Sequence, residues 1–454
     1  MKKISILLLL FTVACTSSET DTSDPEIQAL IDEAVQEALQ EVTTTTVDTE
    51  IPDFNSEIKE NIIYKTSGIN LLFKNKFKLN ENFNSISDLD SVTINNEKFY
   101  LITMTYAKKI IMVDKDFNYI EDFLDISDLA LSSNTGSESG LINMEIIELN
   151  NSYQVLFVSY IDTSSRLTLH QFILKNFSEQ VSQKIVFQGN QNRRPEHYGG
   201  SIYNENNKYI YLSVGDHSII DETVANNFTP ESKILRYFIN FEKNGQAVNL
   251  SSAGIEFNPL YKQRNEINAS ILESIFISGF RNPWNFAVIN TNEEKDKIYI
   301  IGDVGQSKYE ELNIIYESEL YTSPYFGWPF FEGPFFSPHF SEVNNEILQS
   351  HRVPDFYYEH KENDIGGYRC AIILGGVFSS KYEYQNDSFI FTDWCSAELF
   401  SLKINNGKYE FFVYDDVELI DYEGKNINPN IIKTIENNTF LITVNGEVFQ
   451  LIDK

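Results

Sequence analysis

Residues 278–288 read SGFRNPWNFAV, residues 297–317 read KIYIIGDVGQSKYEELNIIYE, and residues 325–333 read YFGWPFFEG. Three turns, Arg-Asn-Pro, Gly-Asp-Val-Gly and Gly-Trp-Pro, separate short apolar runs here. The runs are strand-length, rich in Ile, Tyr and Phe, and bounded by turn residues, which predicts strands rather than helices. Arg281, Asn282, Asp303, Gln306, Glu310 and Glu311 are crowded into and beside these turns. Such crowding is expected where several strand ends meet at one end of a sheet. Pro283 adds a local constraint, because it restricts Asn282 to an extended conformation.

The same punctuation recurs outward in both directions. KFYLITMTY and KIIMVDK (98–115) are followed by DFNYIEDF, and YQVLFVSYI (153–161) by RLTLHQFIL. YIYLSVGD (209–216) precedes SKILRYFI, and AIILGGVF (371–378) precedes SFIFTDW, AELFSLK and YEFFVYD. The chain ends with IIKTIE, TFLITVN and EVFQLID. Regularly spaced strands without intervening helices mean a sandwich, a barrel or a propeller. So long a run of them exceeds one sandwich core and groups into about six sets, which predicts an all-β, six-bladed propeller of four-stranded antiparallel blades. INLLFKNKFKL (69–79) is the N-terminal run placed to pair with the last strands and close the ring, removing exposed edges.

The 454 residues carry 66 acidic and 35 basic side chains, a formal net charge of −31. That balance argues against nucleic acid as a partner, since phosphate binding needs clustered cations. Lys2 and Lys3 followed by the apolar run 4–11 form a targeting segment too short to span a bilayer. Ala14-Cys15 then resembles a bacterial lipoprotein signal, in which the cysteine is lipidated; a plain secretory signal is the alternative. The expected organisation is a leader over 1–15, an acidic Ser/Thr-rich tether over 16–53 with one short amphipathic helix, and the propeller over 54–454. The expected location is the bacterial cell envelope, at the outer membrane, with membrane contact through the lipid anchor only. Export implies an oxidising compartment, so the two remaining cysteines, Cys370 and Cys395, are a candidate disulfide.

Candidate chemistry gathers at strand mouths. His197 precedes Gly199-Gly200 in RRPEHYGGSIY, and the glycines allow close backbone approach there. Asp216 ends YIYLSV and is placed to orient an imidazole and stabilise its protonated form; a turn aspartate satisfying its own backbone is the alternative. Arg281 offers a planar fork of donors, with a purely structural arginine as the competitor. Gly305 and Gln306 sit in a glycine-rich turn whose carbonyls suit a hard cation. His170, inside RLTLHQFIL, is expected to be an ordinary strand residue. No GxSxG, HExxH or Walker A sequence is present. The loops 336–352 and 221–230 are expected to shape an entrance.

Taken together, HYGGSIY…YIYLSVGDHS, SGFRNPWNFAV, IGDVGQSKYEELN, YFGWPFFEG and RCAIILGGVF…FIFTDWCSAELFSL resemble, in order, the motifs of the glucose/sorbosone dehydrogenase family. That family includes soluble quinoprotein sugar dehydrogenases and a hedgehog-interacting branch. The resemblance implies a six-bladed propeller binding pyrroloquinoline quinone (PQQ) with Ca²⁺, oxidising an aldose-type sugar by hydride transfer and passing electrons to an external acceptor. It implies His197 as general base, Asp216 as its orienting partner, and Arg281 with Asn282 on the cofactor. It places the backbone carbonyls of Gly305 and Gln306 on Ca²⁺ and supports the Cys370–Cys395 pair. The chain departs from cofactor-proven members, which usually have Gly-Pro at Gly305-Gln306. FIFTDWCSAELF also brings Trp394 and Glu398 but no lysine at the turn where those members grip the quinone carboxylates. The alternative is a non-catalytic propeller that binds a glycan or a protein on its top face.

Overall fold

The strand Glu97–Met104 shows why the apolar runs become stacked sheets. Its successive side chains point to opposite faces. Tyr100 and Ile102 pack with Ile431, Phe440 and Ile442 on one side, while Leu101 packs with Leu141, Leu156 and Val158 on the other. A strand apolar on both faces needs a sheet against each of them. Repeating that requirement with consistent twist closes the sheets into a ring.

The protein is described by a computed structural model covering residues 63–65, 70–78 and 85–452, apart from internal stretches of which 254–272 and 378–387 are the longest. These residues belong to one unit, Lys59–Lys454. The expected leader with Cys15, the tether and its helix lie outside the described residues.

Six blades are formed. Blade 1 is Ile86–Ile94, Glu97–Met104, Lys109–Asp114 and Tyr119–Asp125; blade 2 is Leu141–Asn150, Tyr153–Ile161, Arg166–Lys175 and Glu179–Gln191. Blade 3 is Gly199–Glu205, Tyr209–Val214, Lys233–Phe241 and Val248–Ser252; blade 4 is Asn285–Ile289, Ile298–Asp303, Tyr309–Tyr316 and Phe356–Glu359. Blade 5 is Ile372–Val377, Ser388–Asp393, Leu399–Asn405 and Lys408–Val413. Blade 6 is Pro429–Ile435, Asn438–Thr443, Glu447–Ile452 and, from the other end of the chain, Asn70–Lys78. That last strand runs antiparallel to Glu447–Ile452, with Leu72 opposite Ile452, so the ring closes as the sequence predicts. Three blades carry a fifth strand beyond the expected four. Ile63–Lys65 lies parallel on blade 5, Asp416–Ile420 lies parallel on Asn70–Lys78, and Ile275–Ser278 pairs with Lys233–Phe241. Each uses backbone groups that an edge would otherwise present to solvent.

The core is six wedges, one in each seam between neighbouring blades. The first strands of successive blades pack on one another around the axis, and blade 6 meets blade 1. In blade 2 the middle strands are buried almost throughout while the outermost, Glu179–Gln191, is mostly exposed. His170 is a buried strand residue as expected, with Nδ1 3.0 Å from the Tyr160 hydroxyl.

One consequence of antiparallel blades positions the site. The entry to each first strand and the exit of each second strand fall at the same end of the ring. His197, Arg281 and Cys370 precede first strands; Asp216, Val304 and Trp394 follow second strands.

Candidate active site

Two turns of blade 3 are locked together before any side chain is placed. The Gly215 N–H donates to the Tyr198 carbonyl at 3.1 Å, and the His217 N–H donates to the His197 carbonyl at 3.1 Å. A Cβ on Gly215 would lie 2.1 Å from the His197 oxygen, so only glycine permits this approach. His197 itself has φ of 59°, a left-handed conformation that costs a non-glycine residue about 1 kcal/mol or more. The turn therefore holds the imidazole in place against a local backbone preference.

Asp216 is fully buried and saturated by directed donors. Its Oδ1 accepts the Ser218 N–H at 2.7 Å and lies 2.9 Å from His197 Nδ1; its Oδ2 accepts the Trp328 indole N–H at 2.9 Å. Its own N–H donates to the Arg281 carbonyl at 2.7 Å. Trp328, which the sequence offers mainly as a turn residue, thus fixes the carboxylate that orients the histidine. The Ser218 hydroxyl adds a second polar neighbour to His197 Nδ1, at 3.1 Å.

Arg281 comes from the opposite side. Its Nη2 lies 2.9 Å from His197 Nε2. A guanidinium remains charged and has no lone pair to offer, so it donates and Nε2 accepts. The ring proton is therefore on Nδ1, directed at Asp216. Arg281 Nη1 donates to the carbonyls of Val304 at 2.9 Å and Gly305 at 2.7 Å, and the guanidinium lies over the Trp328 ring. Its backbone is held by Asp303, whose two oxygens accept the N–H groups of Arg281 and Asn282, each at 2.8 Å. Burial is the main cause that pushes the Asp303 carboxyl up to about 7, against those two hydrogen bonds and the nearby guanidinium. Asn282 Oδ1 accepts the Gly199 N–H at 3.0 Å, tying blade 4 to blade 3.

His197, Asp216, Arg281 and Asn282 are thus brought together, although 19 residues separate the first two and 84 separate His197 from Arg281. Gly305 is joined to them through its carbonyl. Gln306 lies in the next turn position, where Glu332 Oε1 accepts four successive N–H groups, from Gln306 to Tyr309, at 2.7–3.3 Å. Cys370 and Cys395 are disulfide-bonded. They and Asp393 are the one metal-competent trio of side chains among the described residues, but their sulfurs are bonded to each other. Glu398 is paired with Arg369, both nitrogens of the fork contributing at 2.6 and 2.8 Å.

Beside the cluster, a cavity of about 400 Å³ opens at the same end of the ring. Thr105, Glu138, Asn282, Trp284, Trp394 and Asn430 are among its walls, so five of the six blades or their entry loops contribute. Glu138 is the residue that sequence reasoning missed. Its Oε2 accepts the Tyr198 N–H at 3.1 Å and its Oε1 lies 3.4 Å from Asn282 Nδ2. Burial raises its pKa, opposed by His197 and Arg281 nearby. The available signal was positional, since it precedes the first strand of blade 2 as His197 and Arg281 precede theirs.

The donor set can do specific chemistry. A hydroxyl that displaces the Arg281 Nη2–His197 Nε2 contact finds an N–H for its oxygen and, once freed, the Nε2 lone pair for its proton. Asp216 then stabilises the imidazolium. Two buried polar atoms of the cluster, Arg281 Nε and Gln306 Oε1, and Thr105 Oγ1 in the cavity have no hydrogen-bond partner. Such atoms are costly unless a ligand or water satisfies them.

A family model for glucose / sorbosone dehydrogenase matches residues 93–358. The chain belongs to the glucose/sorbosone dehydrogenase family. The match does not distinguish the hedgehog-interacting branch. The chain matches no curated protein sequence. Among solved structures it is similar to the soluble aldose sugar dehydrogenase of Escherichia coli in its apo-form, at 14% identity and a TM-score of 0.56, covering 83% of this chain and 99% of that one. It is similar to the PQQ-bound aldose sugar dehydrogenase of Streptomyces coelicolor, at 14% identity and a TM-score of 0.55, covering 84% and 97%. A glucose dehydrogenase matches at 14% identity with a TM-score of 0.58, covering 83% and 99%. At this identity the likeness establishes the fold, a six-bladed propeller shared with sugar oxidoreductases.

Proposed function

We propose that this family member oxidises a hydroxyl-bearing carbon of an aldose-type sugar, with PQQ as cofactor and His197 as the general base. The observation that carries the reading is the three-residue contact Asp216–His197–Arg281 beside the cavity. Once Arg281 Nη2 shifts from Nε2 to the substrate oxygen, His197 takes the hydroxyl proton at Nε2, Asp216 holds the ring in the Nδ1–H form, and Arg281 steadies the oxygen as charge develops on it.

The residues present fit a planar quinone. Arg281 Nε is a buried donor awaiting an acceptor, Asn282 borders the cavity, and Trp284 and Trp394 give it aromatic walls. Bound PQQ would supply the acceptor for the hydride that leaves carbon, and an external electron acceptor would take the electrons onward. The carbonyls of Gly305 and Gln306 would hold Ca²⁺, with Gln306 Oε1 as a further unpartnered oxygen. That site requires Arg281 Nη1 to give up Gly305, because it now donates to the same oxygen. Anchoring through Cys15 at the bacterial envelope belongs to the same reading; a Cys15→Ala chain that still partitions with membranes would remove it.

The test is a titration of the chain with PQQ and Ca²⁺, followed by dye reduction with a panel of aldoses. Quinone absorbance should shift on binding, and His197→Ala should lower turnover by about a thousandfold while the absorbance shift persists. Absence of any shift leaves a propeller that binds without catalysis. Unchanged turnover in His197→Ala removes His197 as the base.

A further inference from the structure

The Gly305–Gln306 peptide is gripped from both sides. A trans peptide unit points its C=O and its N–H in opposite directions. The Gln306 N–H donates to Glu332 Oε1 at 2.9 Å, and the Gly305 carbonyl accepts from Arg281 Nη1 at 2.7 Å. The orientation that satisfies Glu332 is therefore the one that presents the Gly305 oxygen to the catalytic cluster. Three further N–H groups, of Ser307, Lys308 and Tyr309, reach the same carboxylate oxygen at 2.7–3.3 Å and curl the turn around it. The curl is tight, since a Cβ on Gly305 would lie 1.7 Å from the Tyr309 carbonyl oxygen.

Glu332 is itself held. It is buried in a small hairpin, Phe331–Glu332 paired with Phe335–Phe336. The Gly333 N–H donates to Glu311 Oε1 at 2.6 Å, so the hairpin and blade 4 each supply a carboxylate that caps the other. Phe331 stacks on His351 with ring centres 3.7 Å apart. Ala225, Phe340, Val343 and Ile347, from the two loops expected at the entrance, pack on Tyr325, Phe330 and Phe331. Upstream in the same segment, the Trp328 indole N–H donates to Asp216 Oδ2 at 2.9 Å, and the Trp328 ring faces the Arg281 guanidinium. Residues 328–332 thus hold both ends of one line of contacts, from Glu332 through the 305–306 peptide, Arg281 and His197 to Asp216.

We infer that Glu332 is a positioning residue of the reaction, which sets Arg281 against His197 by fixing the 305–306 peptide plane. It does not line the cavity and acts only through the turn. Its hold matters for either partner of the Gly305 oxygen, Arg281 in this structure or a bound Ca²⁺, because both need that oxygen turned toward the site. Asp393, in the seam of blades 4 and 5, is a matched comparison. Its two oxygens also gather four backbone N–H groups, those of Cys370, Ala371, Cys395 and Ser396. The effect on turnover rests on the sugar-oxidising reading; the positioning itself is measured without sugar or cofactor.

The test uses the full chain without cofactor, carrying isotope-labelled histidine. The His197 Nε2 nitrogen resonance is identified by its loss in His197→Ala. Glu332→Ala removes the carboxylate and Glu332→Asp withdraws it by one methylene; each should move that resonance at fixed pH, and the aspartate variant serves where the alanine variant does not fold. Glu332→Gln, which keeps an oxygen for the four N–H groups, should leave the resonance at its wild-type position. Asp393→Ala should lower the urea midpoint comparably without moving it. An unmoved resonance in the folded Glu332 variants, or an equal movement in Asp393→Ala, overturns the positioning role. With PQQ, Ca²⁺ and an aldose, Glu332→Ala should lower kcat about tenfold at near-constant KM, and Glu332→Gln should restore it to within about threefold. In an Arg281→Lys background the same Glu332→Ala change should cost less than about threefold, because its route is already broken. Equal costs in both backgrounds overturn the route through Arg281. A moved resonance in a parent chain that oxidises no sugar upholds the positioning role and removes the oxidoreductase reading.

Discussion

Two polar clusters sit at strand ends of neighbouring blades, and they are built in opposite ways. Around Asp393, in the seam of blades 4 and 5, each charge has its partner. Oδ2 accepts the Tyr358 hydroxyl and the N–H groups of Cys370 and Ala371, at 2.9–3.0 Å, and Oδ1 accepts those of Cys395 and Ser396, at 3.0 and 2.8 Å. Arg369 grips Glu398 with two nitrogens, and Glu310 pairs with His360 and accepts the Ile372 N–H. Around Arg281, in the seam of blades 3 and 4, Arg281 Nε and Gln306 Oε1 are buried without partners, and His197 holds a left-handed backbone. Acidity and burial do not separate the two clusters; satisfaction does. An unsatisfied buried polar atom costs about 1–3 kcal/mol, so it persists where a ligand completes it. The saturated cluster reads as bracing, and the unsaturated one as a site.

The sharpest way to break that distinction is to make the same change in both. Arg281→Lys keeps the charge but loses the fork, and one ammonium cannot reach Val304, Gly305 and His197 with the same geometry. Steady-state dye reduction should fall by about a thousandfold, or about 4 kcal/mol of barrier. Arg369→Lys should lower the melting free energy by about 1 kcal/mol and leave turnover near wild type. Comparable loss of turnover from both variants would mean that the two clusters are one functional unit.

A second change tests the bracing role alone. The Cys370–Cys395 bond closes a 25-residue separation between the entry of the first strand of blade 5 and the exit of its second. Cys370→Ala/Cys395→Ala should destabilise the propeller by about 3 kcal/mol, read from the urea midpoint. No shift in that midpoint would mean that the Asp393 hydrogen bonds hold the seam without the bond.

The sequence reveals these two clusters unequally. Strand count was legible because burial on both faces leaves continuous apolar runs, and ring closure because INLLFKNKFKL, at the far end of the chain, shows the alternation of a strand with one face toward solvent. His197, Asp216 and Arg281 were legible because each stands beside a glycine or proline that marks a strand mouth. The cysteine pair followed from compartment and count. Glu138 carries the same marker, Gly140 two residues on at the mouth of a first strand, but nothing local to it shows that its carboxylate reaches Tyr198 and Asn282. The support that Trp328 gives Asp216 was hidden as well, since an indole N–H 112 residues away leaves no local trace. The sequence of Glu332 gives no hint that it caps a turn belonging to another segment. What failed to show was long-range pairing, which single-strand patterns do not encode.

The smallest expected effect separates the clusters by pH. Burial raises both Asp303, beside Arg281, and Glu310, beside His360, to about 7. An unfolded carboxyl titrates near 4. Between about pH 4 and pH 7 the folded state therefore holds more protons than the unfolded chain, so stability contributed by each group falls as pH rises and levels off above 7. Burial lowers the pKa of His360, but Glu310 outweighs it and the net shift is upward, so His360 works in the same sense: its stabilising charge is lost as pH rises through its folded value. Asp303→Asn replaces an acceptor of the Asn282 or Arg281 N–H with an amide donor, so the variant starts less stable at every pH. The informative quantity is the slope. The difference in unfolding free energy between pH 4.5 and pH 7.5 should shrink by about 1–2 kcal/mol in Asp303→Asn relative to wild type. Glu310→Gln should shrink it too, by removing both the carboxyl and the partner that raises His360. If Glu310→Gln flattens the profile and Asp303→Asn does not, the cost of buried charge sits in the bracing cluster, and the guanidinium keeps Asp303 ionised. The unsatisfied site would then owe its energy to one donor without an acceptor, Arg281 Nε, and one acceptor without a donor, Gln306 Oε1, which is the deficit a ligand carrying both groups would fill.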